Sequence, residues 1–382
     1  MKLFKSLLVA PATLGLLAPL AATANEVTIS DFAPAEELAV TNSRIDGLEA
    51  RLNNFEAGSF SETTTASFSA DFAIGSVDGL GLVTSPRTSV DTDGTEAIEA
   101  YYGFQIDLST SFTGEDSLDI SLDAGNSGGA ATELDLNSTT SEALTVDGIS
   151  YTFPVGDKVT AFVGDNTDGS LLYSTACVYG GPGNTLDDCG AATAPLGSGT
   201  GTAAGASFDI GNGFAAAVGY TGSGSSSSGL FTKEGYDSYG GQLTYTGDSY
   251  GASVTYADTE DATAGDVTYW ALNGYWTPSD SGSMPSISVG YEVGDPEAAG
   301  EKDTTQYFVG LQWDEAGPGT FGVALGTDGA FAENATEYMV YEAFYSYPVN
   351  DGMTITPLIY VRENDANKAD QTGILVKTSF SF

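Results

Sequence analysis

The 382-residue sequence predicts an all-β fold: a transmembrane, antiparallel, up-and-down β-barrel preceded by one short helix. Three observations predict it. Apolar and polar residues alternate along segment after segment, the period of a strand with one greasy and one wetted face. Past the extreme N-terminus no run of about 20 apolar residues exists, so helices cannot do the spanning. The final segment, Ile374-Leu-Val-Lys-Thr-Ser-Phe-Ser-Phe382, is itself an alternating strand that ends on an aromatic residue. That ending suits a last strand that pairs with the first to complete a ring.

Taken in order, residues 1–24 read as a secretory signal. Lys2 and Lys5 supply the positive region, Leu7 to Leu20 is apolar but interrupted by Pro11, Gly15 and Pro19, and Ala22-Thr23-Ala24 is a small-residue cleavage site. A short transmembrane anchor is the other reading, disfavoured because no basic flank follows and proline breaks the helix. Residues 25–57 comprise a periplasmic linker and the one convincing helix, 34–57. Pro34 suits its start, Glu36 and Glu37 sit in the first turn near the positive end of the helix dipole, and Gly58 stops it. Leu38, Ile45, Leu48, Leu52 and Phe55 fall at heptad spacing and form an apolar seam. A lone helix of this length is marginal in water, so the seam needs a partner: its own domain, or the same helix from other subunits.

From 58 to 382 the period is two. Tyr102, Phe104, Ile106, Leu108, Thr110 and Phe112 occupy every second position, and Leu118, Ile120 and Leu122 do the same, with Asp119, Ser121 and Asp123 between. The pattern returns at 68–74, 149–155, 208–210, 214–220, 243–245, 250–256, 287–293, 307–313, 321–325, 353–361 and 374–382, about seventeen candidate strands in all. Turn clusters separate them, among them Gly211-Asn212-Gly213, Thr246-Gly247-Asp248, Ala316-Gly317-Pro318-Gly319 and Asn350-Asp351-Gly352. Many segments run about 8 to 11 residues, the length of a tilted strand that crosses a bilayer.

Alternation leaves open which face is inside. A soluble sandwich buries the apolar face, whereas an outer-membrane barrel turns it to lipid. Three features favour the barrel. The polar face is rich in small, hydratable Asp, Ser, Thr, Gln and Gly. Aromatics such as Tyr245, Tyr250, Trp270, Trp276, Trp313 and Tyr347 lie mostly near strand ends, where headgroups would sit. Phe380 and Phe382 resemble the C-terminal insertion signal of bacterial outer-membrane barrels. Tyr and Phe on both faces at 269–276 and 338–347 keep a second possibility open, a filled, non-conducting structural or adhesive surface protein.

Composition bounds the chemistry. With no histidine there is no His-based triad, imidazole base or His-ligated zinc, and no serine sits in a nucleophile-elbow context, so an enzyme is not expected. No cofactor is expected. Eleven basic residues against 52 acidic ones, a net charge of −41, exclude nucleic acid as a partner. Cys177 and Cys189, twelve positions apart in an exported chain, are expected to form a disulfide, with free thiols as the alternative. Long Gly/Ser/Asp-rich segments at 78–98, 164–203, 221–235 and 294–303 read as external loops, and the cysteine-bearing one is the candidate to fold inward and narrow a pore. Acidic pore candidates are Asp71, Asp107 and Asp119 on polar strand faces, with Asp165, Asp168, Asp91, Asp93, Asp187 and Asp188 in loops. Asp165-Asn-Thr-Asp-Gly169 has the start of a calcium loop but lacks the downstream glutamate that would complete it.

Several motifs carry a family resemblance. Arg44-Ile-Asp-Gly-Leu-Glu-Ala-Arg51 followed by Phe60-Ser-Glu-Thr-Thr-Thr65, the hairpin Tyr151-Thr-Phe-Pro-Val-Gly-Asp-Lys-Val-Thr-Ala-Phe-Val163, and the ending from Tyr345 through Val376-Lys-Thr-Ser-Phe-Ser-Phe382 resemble the cyanobacterial outer-membrane porins related to carbohydrate-selective porins. The resemblance implies a 16-stranded homotrimeric porin held by outer-membrane lipid, passing small hydrophilic solutes or ions. That family commonly carries an S-layer-homology domain, which has no counterpart between Asn25 and the helix. The helix is then expected to act as a periplasmic trimer stalk.

Overall fold

The computed structural model describes residues 64–382 apart from 80–81, 85–87, 91–96, 137–141, 187–188, 190–200, 226–228, 233–236, 261–264, 280–282 and 365–369. The expected signal at 1–24, the helical seam of Leu38, Ile45, Leu48, Leu52 and Phe55, and the loop acids Asp91, Asp93, Asp187 and Asp188 lie outside the described residues.

Sixteen strands make one antiparallel barrel. They are β1 (Thr64–Asp78), β2 (Glu99–Thr110), β3 (Ser117–Gly125), β4 (Thr145–Pro154), β5 (Val159–Thr167), β6 (Gly201–Gly211), β7 (Phe214–Gly222) and β8 (Asp237–Thr246), then β9 (Tyr250–Thr259), β10 (Val267–Trp276), β11 (Ser286–Pro296), β12 (Thr304–Ala316), β13 (Gly319–Thr327), β14 (Met339–Asn350), β15 (Met353–Arg362) and β16 (Gln371–Ser381). Each pairs with its neighbour in sequence, and β1 pairs with both β2 and β16. No barrel edge is left, the condition a lipid-facing sheet must meet because unpaired backbone groups find no water there. The seam is closed to the last residue: Phe68 and Phe382 exchange backbone hydrogen bonds of 2.9 and 3.0 Å, and their rings stack at 5.7 Å. Phe380 meets Phe72 edge-on at 6.0 Å.

Successive connections fall on opposite rims, and those of one rim are mostly the shorter. One rim has the turns 111–116, 155–158, 212–213, 247–249, 277–285, 317–318 and 351–352, and the other has 79–98, 126–144, 168–200, 223–236, 260–266, 297–303, 328–338 and 363–370. At one of the three two-residue turns Asn212 and Gly213 both take positive φ (54° and 84°), the geometry for which a two-residue hairpin prefers Asn-Gly. The 111–116 turn is organised by Asp116. Its carboxylate accepts from the Tyr151 hydroxyl at 2.6 Å and from the amides of Phe112 and Thr113, and the bonds from Tyr151 first, then Thr113 and Ser111, hold the carboxyl well below the usual range.

Register settles which side is greasy. Trp270 and Leu272 are 57% and 56% exposed on the outward face of β10, whereas the intervening Ala271 is 1% exposed and faces in. Phe72, Ile74, Val218, Leu243, Val289, Ile359 and Ile374 continue the outward set. The cross-strand partners Asp71–Gly103, Asp107–Ser121, Asp119–Ser150, Gln242–Thr255 and Ser253–Asn273 line the inside. Two aromatic bands rim the outward surface. Phe214, Tyr245 and Tyr250 make one, with ring centroids 4.8 and 5.5 Å apart, and Tyr256 and Trp270 belong to the other, at 5.1 Å.

Candidate functional site

The barrel interior is the candidate site, and two of the long connections enter it. The 168–200 connection does so by borrowing hydrogen-bond groups from the inner wall. At its start Asp168 caps a tight turn through the Ser170 amide (2.9 Å), and the Gly169 amide donates to Thr221 of β7. Ser174 is held twice by Gln242 of β8, through its amide (2.7 Å) and its carbonyl (2.8 Å). The amides of Val178 and Tyr179 donate to the Ser288 hydroxyl of β11 at 3.0 and 3.1 Å. The Gly180 amide donates to Gln312 of β12 at 2.9 Å, and the Tyr179 hydroxyl donates to Glu342 of β14 at 2.7 Å. The loop thus reaches from β5 past β8 and β11 to β14. Tyr179 seats its ring against Phe308 and Phe344 at 5.4 and 5.7 Å, and Phe308, 1% exposed, anchors a small apolar core inside the barrel. Burial, then the charge and hydrogen bond of Glu342, push the Tyr179 phenol far above its ordinary value, so it stays a donor at any physiological pH.

The 126–144 connection supplies the second piece. Its 3₁₀ turn, Gly129–Glu133, and the following Leu134 pack against the first loop: the Asn184 amide donates to the Glu133 carbonyl (2.7 Å), and Leu134 bridges Gly183. Arg362, on the inward register of β15, fastens both. It pairs with the Glu133 carboxylate and donates to Thr185 at 2.6 Å, with Asp328 at 3.6 Å. Glu133 is 3% exposed; burial pushes its carboxyl up and Arg362 pulls it back. Lys377 of β16 lies 3.5 Å from Asp71 and donates to the Asp135 carbonyl. Both wall cations are therefore used to hold acids and loops.

Cys177 and Cys189 form the expected disulfide within the inward loop, with Cα atoms 5.9 Å apart and Cys189 buried. Its twelve-residue spacing contributes about 3 kcal/mol to loop order in the chain-entropy account. Reduction is expected to leave the barrel closed and to loosen the loop: the Val178, Tyr179 and Gly180 amides should exchange hydrogen faster by one to two orders of magnitude (about 1.4 kcal/mol per tenfold), while the strand amides stay protected.

Opposite the loops, the wall of β2 to β4 is acidic and hydroxyl-rich. Asp107 accepts from Gln105 (2.8 Å) and Ser121 (2.7 Å), Asp119 from Ser117 (2.8 Å), and Asp123 from Thr145 (2.9 Å). Two cavities lie between this wall and the loops. One, of about 530 Å³, has Asp119, Asp147 and Asp168 in its lining; the other, of about 280 Å³, has Asp123, Asp135 and Asp147. Asp147 borders both because a register shift after Ser121 turns it inward.

Of the expected acids, Asp107, Asp119 and Asp168 line the lumen side, and Asp71 faces in but is occupied by Lys377. Asp165 is corrected: it lies on β5, not in a loop. β5 continues past a bulge to Thr167, which leaves Asp165 exposed on the register of outward-facing Ile149, accepting from Thr202 at 3.1 Å. Asp123 lies on the polar face that the alternation predicts, whereas no local pattern marks Asp147, Glu133, Arg362 or the wall anchors Gln242, Ser288, Gln312 and Glu342 as lumen groups. Among the described residues no group of three or more Cys, Asp or Glu side chains is arranged to hold a metal ion.

Three solved structures superpose on 84% of this chain and on the whole of their own. They are a loop-deletion mutant of OmpT, an outer membrane protein of Vibrio cholerae (11% identical, TM-score 0.55), a mutant of the Rh. blastica porin (12%, 0.54), and a structure described for the asymmetric conductivity of engineered proteins (12%, 0.53). The fold is that of the porin barrel. No family model and no curated protein sequence matches the chain.

Proposed function

We propose that the chain is an outer-membrane porin for passive diffusion of small hydrophilic solutes and inorganic ions, with a preference for cations. The closed barrel, its apolar exterior and its aromatic rims place it in the bacterial outer membrane. The observation that carries the charge preference is the fate of the lumen cations among the described residues. Arg362 and Lys377 each face a carboxylate, while no salt bridge among the described residues engages Asp107, Asp119, Asp123 or Asp147. A water-filled passage lined by uncompensated carboxylates raises the local cation concentration and repels anions. The resemblance to cyanobacterial outer-membrane porins extends the reading to a homotrimer with a periplasmic helical stalk.

Purified protein in a planar bilayer with a tenfold KCl gradient should give stepwise conductance and a reversal potential of the cation sign. That potential should shrink as total salt rises, because the Debye length falls from about 10 Å at 0.1 M to about 3 Å at 1 M. Anion preference would overturn the charge argument. Absence of conductance would favour the non-conducting surface protein, a reading kept alive by the way Tyr179, Phe308 and Phe344 fill one side of the lumen.

A further inference from the structure

The larger cavity has one feature the cation preference does not explain. Its acidic wall faces Leu171 and Leu172, consecutive leucines of the inward loop, and Leu171 is 44% exposed. The rest of the lining is Asp, Ser, Thr, Asn and Gly, apart from Ile149, whose register faces outward. Apolar side chains bordering water in a cavity otherwise lined by hydratable groups incur a hydration cost that a flexible loop would relieve by tucking them away. This loop cannot. The leucines sit between two fixed points, the Gly169 amide on Thr221 and the paired hydrogen bonds of Ser174 with Gln242, and the Leu171 and Tyr173 amides close the turn on Asp168 and Ser170. The backbone is built to hold them at the cavity.

We propose that this part of the pore selects small organic cations that carry a short apolar body, primary alkylammonium ions above all. The ammonium group faces Asp119, Asp147 and Asp168 while its hydrocarbon part slides past Leu171 and Leu172. The leucines, not the carboxylates, carry the inference: carboxylates alone would favour any cation, whereas an apolar strip opposite them separates cations by their tails. The proposal rests on the diffusion-pore reading and refines its solute class.

The test compares two ions of nearly equal size and charge, propylammonium and ethanolammonium, which differ by a terminal methyl against a hydroxyl. Bi-ionic reversal potentials are measured against KCl in planar bilayers with the full protein. Propylammonium should permeate about twofold to fourfold better than ethanolammonium, the weight of one partly to fully desolvated methyl group. Leu171→Ser with Leu172→Ser should bring the ratio to about one with the K⁺ over Cl⁻ preference unchanged. Asp119→Asn with Asp147→Asn should lower both ammonium ions together and keep their ratio. Equal permeation of the two ions through the unaltered pore, or a ratio untouched by the leucine substitutions, overturns the proposal while leaving the pore standing. A protein that conducts nothing overturns the pore reading itself.

Discussion

Replacing Asp107, Asp119, Asp123 and Asp147 together by asparagine should abolish most of the cation preference. In a tenfold KCl gradient an ideally cation-selective pore gives about 59 mV. The native protein is expected to approach that limit at low salt, and the quadruple variant to fall to within about 10 mV of zero, where K⁺ and Cl⁻ pass by their nearly equal mobilities. Asparagine keeps an acceptor oxygen for Gln105, Ser121, Ser117 and Thr145, so the wall geometry survives and the change isolates charge. Single-channel conductance at 1 M salt should change little, because screening already removes the field there. A variant that stays as cation-selective as the native pore would shift the origin of selectivity to the external loops.

The second large effect concerns the clasp on the inward loops. Arg362→Ala should destabilise the docked loops by about 3 kcal/mol, because it strands the buried Glu133 carboxylate without its counter-charge. Glu133→Gln should cost less, since Arg362 keeps Asp328 and Thr185 and is itself partly exposed. The pH dependence has a definite sign. Burial raises the Glu133 carboxyl in the folded protein, so folded molecules bind its proton more tightly than unfolded ones. Docking is then weakened as pH rises from the ordinary carboxylate range through the raised value. Without Arg362 the rise is larger, so the defect should be greatest at neutral pH and fade on acidification. Open-channel noise and proteolytic cleavage within 168–200 read the loosening, and retained barrel migration in unboiled gels shows that the strands are intact. Equal stability of Arg362→Ala and the native protein across pH would contradict the clasp.

Much of this fold is legible in the residues because a barrel strand is governed by one local rule. Tyr102 to Phe112 and Leu118 to Leu122 alternate with Thr110 as the one polar residue in the apolar phase, and the same rule puts Asp107 and Asp119 on the wetted face. The bulges escaped it. A register shift after Ser121 makes Asp147 a lumen residue, and a bulge in β5 keeps Asp165 on a strand at its outward face; each depends on cross-strand pairing that no single segment records. The inward course of 168–200 was suggested by its length and cysteines, but its anchors were invisible. Gln242, Ser288 and Gln312 look like ordinary lumen-lining polar residues until a loop amide is placed against them. A signal did exist in the bulky inward residues Phe308 and Phe344. A water-lined face has no use for such rings, so they mark where something packs inside, although by sequence alone the aromatics on both faces at 338–347 equally suit a filled barrel. The clasp is hidden for a further reason: the scarcity of basic residues says nothing about whether Arg362 and Lys377 are already neutralised.

The orientation of the two strand faces is tested most directly by the three native tryptophans. Trp270, Trp276 and Trp313 all lie on outward registers. In vesicles of brominated phospholipid their fluorescence should be strongly quenched, and aqueous iodide should quench it little. Strong iodide quenching, with no response to bromolipid in a protein that stays in solution without detergent, would contradict a barrel that turns its apolar face to lipid.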